Sequence, residues 1–124
     1  MLPACIPIVT ATIRLEGSHG EAEIDRIESI VERLGFVRIW AEPVSGGRYA
    51  RTKRDDELAS EFETPLGTVD TGFGISIRWK KTDGSLRVIF AERNTRFSDR
   101  GTTLKEKLID EVRALYGDKV SVQA

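Results

Sequence analysis

Cysteine, histidine and methionine each occur once in these 124 residues, and proline only four times. The single thiol, Cys5, excludes an internal disulfide and any zinc site built on cysteines. The single imidazole, His19, has no second histidine with which to share a metal, and no metal or cofactor is expected. No apolar run approaches the roughly 18 residues that a membrane-spanning helix needs. Neither sign of charge dominates: 19 basic residues nearly cancel 20 acidic ones, for a net charge of −1. The whole-molecule field therefore favours neither nucleic acid nor a cationic partner. The composition, 40% apolar and 31% charged, is that of an ordinary globular domain of single-domain length.

The patterning that is present divides the chain into a tail, 1–7, and one α+β domain, 8–124, with an irregular segment at 43–70. Val9, Ala11, Ile13 and Leu15 alternate with polar residues and predict a half-buried strand that begins after Pro7. Ser18 and Glu21 have the spacing of a capping box ahead of a helical stripe, Ile24, Ile27, Ile30, Val31 and Leu34, which Gly35 ends. A short strand, Phe36 to Trp40, follows. Asp55 to Phe62 reads as one or two helical turns. Phe73, Ile75, Ile77 and Trp79, then Leu86, Val88 and Phe90, predict two strands joined by a two-residue turn at Asp83-Gly84. That turn sets Trp79 opposite Val88, Ile77 opposite Phe90, Arg78 opposite Ile89 and Ser76 opposite Ala91. Thr103 and Glu106 suggest a second capping box before a helix that buries Leu104, Leu108, Val112 and Leu115, with Lys107 and Glu111 paired on its wet face. Gly117 caps this helix, and Val120 and Val122 predict a last strand.

Strand, helix, strand, hairpin, helix, strand describes two helices packed on one face of a mainly antiparallel sheet. The order resembles the ferredoxin-like βαββαβ plan with an extra strand, and a helix packed on a separate, strongly curved sheet is the competing layout. Neither layout implies a function.

Candidate sites are sparse. Arg48, Arg51, Lys53 and Arg54 surround Tyr49 in the irregular segment, and Arg93, Arg96 and Arg100 flank Phe97. Arginines beside an aromatic ring suit a partner's anionic groups, so the first cluster is the candidate partner-binding set and the second a candidate anion site. Acidic neighbours (Asp55, Asp56 and Glu57; Glu92 and Asp99) support the alternative of solvated ion pairs. His19 is expected at a helix start or on the surface, where the helix dipole disfavours its charged form. Gly72-Phe73-Gly74 stands at a strand entrance and lacks the strand-to-helix setting of a phosphate loop. No catalytic set is found.

Leu2-Pro3-Ala4-Cys5 resembles the lipobox of bacterial lipoproteins, in which the cysteine becomes the lipid-bearing N-terminus. The resemblance implies a lipid on Cys5, a basic and apolar signal ahead of Met1, and a place at the bacterial cell envelope or periplasm. The alternative is an incidental thiol in a cytoplasmic protein. The expected function is that of a non-catalytic binding domain. Its partner, a protein, would dock on Pro43–Asp70 or on the exposed sheet face, and a membrane would be met only through the lipid. A cytoplasmic binding module of toxin-neutralising or regulatory type is the second reading. A small enzyme or ligand carrier using the arginine clusters is the third.

Overall fold

Side chains that alternate between apolar and polar give each long strand one face for the core and one for water. The computed structural model describes residues 8–39, 43–44, 48–49, 52–54, 56–64, 72–92 and 99–123. They form β1 (Ile8–Leu15), α1 (Ala22–Arg33), β2 (Val37–Arg38), β3 (Pro43–Val44), β4 (Arg48–Tyr49), β5 (Thr52–Arg54), β6 (Glu57–Glu63), β7 (Phe73–Lys80), β8 (Leu86–Glu92), α2 (Asp99–Tyr116) and β9 (Val120–Gln123). The main sheet runs β2-β6-β7-β8-β1-β9, and β5 pairs with β6 as well. β2 meets Phe62 and Glu63 while β5 meets Glu57 to Ala59, so the two short strands lie end to end along β6. β3 and β4 pair only with each other.

The α+β architecture is as expected: every described pairing is antiparallel, and β1 lies between β8 and β9. β1 and β7 flank β8 and both run antiparallel to it, while β6, with β2 and β5, extends the sheet beyond β7. An extra residue, Thr10, shifts the β1–β8 register between Val9 and Ala11. This bulge leaves Val9 exposed while Ala11 is buried.

One core joins the inward sheet residues to both helices. Ile13, Phe62, Phe73, Ile75, Ile77, Val88 and Phe90 pack against Ile24, Ile27, Ile30 and Val31 of α1 and Leu108 and Val112 of α2. Each such side chain contributes about 1.5–3 kcal/mol on burial, so this face holds the helices, and no described helix packs on the opposite face.

Several expectations are corrected. The described part of the Asp55–Phe62 stretch contains no helical turn: Glu57–Glu63 is a full strand inside the sheet. Its inward row is Leu58, Ser60 and Phe62, and the polar Ser60 at its centre masks the alternation. The β7–β8 register lies two residues from the predicted one, with Trp79 opposite Leu86, Ile77 opposite Val88, Ile75 opposite Phe90, Ser76 opposite Ile89, Gly74 opposite Ala91 and Arg78 opposite Arg87. The strands close through Lys81–Gly84: Lys80 N–H donates to Ser85 O at 2.9 Å and Gly84 N–H to Lys80 O at 2.8 Å. Asp83 accepts the Ser85 N–H, and Gly84 takes φ +68°, so the Asp-Gly pair builds a wider loop than a two-residue turn.

Neither capping box forms. α1 begins with Glu21 at its N-cap and no side-chain cap, because Ser18 and His19 lie on the β7–β8 loop instead. His19 N–H donates to Gly84 O at 2.8 Å, and Trp79 Nε1 donates to His19 O at 2.8 Å. A Cβ on Gly84 would stand 2.8 Å from His19 N, so glycine permits this close crossing. α2 starts at Asp99, which puts Thr103 inside the helix. Leu115 is exposed, and Ile109 and Tyr116 share the inward stripe with Leu104. Glu111 pairs with Arg33 of α1 at 3.2 Å rather than with Lys107. The strand after α1 is only Val37–Arg38. Gly35 and Gly117 do end their helices, at φ +93° and +57°.

Candidate functional site: an arginine row on the open sheet face

The register places three arginines side by side. Arg14 on β1 is directly opposite Arg87 on β8, and Arg87 is directly opposite Arg78 on β7. All three occupy positions that alternate with core residues, so they stand on the sheet face away from the helices. Adjacent Cα atoms in such pairs are about 5 Å apart, which makes the row about 10 Å long. Like charges directly opposite one another on a sheet destabilise it.

Carboxylates answer the row unevenly. Glu57 of β6 reaches Arg78 with Oε1 at 3.3 Å and Arg87 with Oε2 at 3.7 Å, so one carboxylate bridges two guanidinium groups. Arg78 also has Glu61 at 3.9 Å and donates from Nε to Ser76 Oγ at 3.1 Å, while Ser76 donates to Glu61 at 2.9 Å. Arg14 differs. Its Nε donates to the neutral Gln123 Oε1 at 3.3 Å, and it has no ion-pair partner among the described residues.

The row opens into a cleft of about 430 Å³ toward the β7–β8 loop. Four cationic side chains, Arg14, Arg78, Lys80 and Arg87, line it with only two acidic ones, Glu16 and Glu57. The local balance is +2 in a chain whose net charge is −1. Ser85 and Ser121 add neutral hydroxyls to the wall. The cleft is thus a place where a small anionic group meets several donors at once.

No protein-family model matches this chain, and no curated protein matches it either. The cleft is therefore interpreted from its own chemistry.

A second polar cluster lies between α1 and the sheet. Glu28, almost fully buried, accepts from Ser60 Oγ at 2.5 Å and pairs with Arg38 Nη2 at 2.9 Å. The Arg38 guanidinium lies 4.9 Å from the centre of the Phe62 ring. Ser60 is 2% exposed, so it lacks the access that a nucleophile needs. The one imidazole is engaged elsewhere: His19 Nε2 is 3.0 Å from Glu16 O, and the ring meets Tyr116 edge-on at 5.8 Å. The cluster ties α1 to β2 and β6.

Cys5, Arg51, Arg93 and Arg96 lie outside the described residues, as do the side chains of Arg48, Tyr49, Lys53, Arg54 and Arg100. Among the described residues no three His, Cys, Asp or Glu side chains gather as metal ligands, and no helix is long and apolar enough to cross a membrane. The arginine row escaped sequence reasoning because the two-residue register difference sets Arg78 against Ile89 instead of Arg87. The alternation of β1, β7 and β8 carried the signal, and only the correct loop length aligns it.

Proposed function

We propose that this chain is a small non-catalytic binding domain that holds an anionic group of a protein partner on its open sheet face. The observation that carries this reading is the cross-strand row Arg78, Arg87 and Arg14, with Arg14 having no ion-pair partner among the described residues. Three aligned arginines cost stability through mutual repulsion, and an anion laid against them removes that cost. Beyond the row the same face carries Ser76, Ile89 and Thr12, then Gly74, Ala91 and Val9. These mostly small side chains leave room for a partner's backbone.

A thermal-stability titration tests the reading. Sulfate, a compact dianion, is expected to raise the melting temperature beyond chloride at matched ionic strength, by mass action on the folded state. Arg87→Glu is expected to remove the sulfate-specific part. Equal responses to sulfate and chloride in the natural sequence would dispose of the site.

The Leu2-Pro3-Ala4-Cys5 motif supports a tether as well, in which a lipid on Cys5 holds the domain at a bacterial envelope. Fatty-acid labelling of the natural gene product in a bacterial host, with Cys5→Ala as control, is the test. Label that stays in the Cys5→Ala variant, or is absent from both, counts against the tether.

A further inference from the structure

The cleft already contains a carboxylate, and that resident group bears on which anions it accepts. Glu57 spans Arg78 and Arg87, with one oxygen on each. An incoming aspartate or glutamate of a partner would offer the same two oxygens and the same single charge, so it gains little by displacing Glu57. Beside this pair, Arg14 stands directly opposite Arg87 on the adjacent strand, and both line the cleft. A phosphorylated side chain carries about −1.5 to −2 charges and three acceptor oxygens at neutral pH. That charge matches the +2 balance of the lining, and the oxygens can address Arg87, Arg14 and a wall hydroxyl together. The cleft is also larger than a lone carboxylate requires, and within the size range of small ligand sites.

We infer that the cleft recognises a phosphoserine or phosphothreonine side chain of a protein partner, and that Glu57 is an internal competitor that keeps ordinary acidic side chains out. This rests on the proposed anion-binding role of the arginine row. Discrimination then comes from a repulsive element beside the attractive ones, since a weak anion must compete with Glu57 while a dianion outbids it. Arg14 and Arg87 grip the phosphate, and Arg78 stays with Glu57 and Glu61.

The test uses the full chain and three probes: a short blocked alanine–glycine peptide with one phosphoserine, the same peptide with glutamate there, and inorganic phosphate. The phosphopeptide is expected to bind about tenfold more tightly than the glutamate peptide, the scale of one additional charge-assisted contact. Arg14→Gln and Arg87→Gln are each expected to weaken phosphopeptide binding about tenfold. Arg33→Gln, on the helix face, should leave it unchanged. Glu57→Gln is expected to strengthen glutamate binding and narrow the preference to about threefold or less. Equal binding of both peptides by the natural sequence, or a preference that Glu57→Gln leaves unchanged, overturns the inference. If sulfate still binds at the row in that case, the general anion site stands. Inorganic phosphate that binds as tightly as the phosphopeptide overturns the protein source and indicates a free anion. Folding of each variant is checked by its denaturation midpoint, and Arg87→Lys, which keeps the charge, is expected to bind better than Arg87→Gln.

Discussion

Replacing Arg87 with threonine should make the protein more stable while it disables the cleft. Arg87 stands directly opposite two other arginines, Arg14 and Arg78. Each like-charge pair on a sheet costs roughly 0.2–1 kcal/mol, so removing the central member relieves about 1 kcal/mol. The substitution also removes the Arg87–Glu57 pair, at 3.7 Å with over a third of the arginine side chain exposed. A pair of that kind contributes roughly 0–1 kcal/mol, and Glu57 keeps its nearer contact with Arg78. Threonine suits a strand as well as arginine does. The net expectation is a gain of about 0.5 kcal/mol, or a melting temperature about 2 °C higher in a domain of this size. Urea denaturation at low salt reads the difference from the midpoints. At about 1 M salt, where charges are screened beyond roughly 3 Å, the gain should vanish. A loss of 1 kcal/mol or more, or a gain indifferent to salt, would refute the reasoning that the row stores repulsion.

Three further outcomes follow from the packing. Glu28→Ala strands the Arg38 guanidinium and the Ser60 hydroxyl in a largely dry site, and chemical denaturation should show a loss of about 2–4 kcal/mol. Gly101→Ala drives a Cβ into the Glu92 carboxylate and to 2.8 Å from the buried Phe73 ring. The clash of about 1–3 kcal/mol exceeds a helix-propensity gain of up to about 1 kcal/mol, so a lower midpoint is expected. Burial, and then the hydrogen bond its hydroxyl donates to Glu23, push the pKa of Tyr116 above its ordinary value. A group whose folded pKa is raised stabilises below its unfolded pKa, about 10 for tyrosine, and that contribution is lost as pH climbs above it. A stability profile between about pH 9 and 11 should therefore fall for the natural sequence and less steeply for Tyr116→Phe.

Most of the sheet was readable because β1, β7 and β8 place apolar residues at every second position over most of their length. β6 was not, since Ser60 occupies a core position to serve Glu28, a long-range need that no local pattern announces. The loop chemistry misled in a specific way. Asp83-Gly84 signals a turn, but His19 docks on Gly84 and the loop is two residues wider than its dipeptide suggests. Those two residues separate a register in which Arg78 faces Arg87 from one in which Arg78 faces Ile89. The helix stripe failed only at its end, where Tyr116, hydrogen-bonded to Glu23 and edge-on to His19, turns inward in place of Leu115. The candidate site was thus written in alternation but assembled by register, and register depends on contacts far apart in the chain.

Amide chemical-shift mapping of the full chain during a sulfate titration tests the central claim most directly. The account predicts saturable shifts at Arg14, Arg78, Arg87, Ser85 and Ser121, with α1 and α2 unmoved. Shifts scattered over the surface, or centred on the helices, would contradict it.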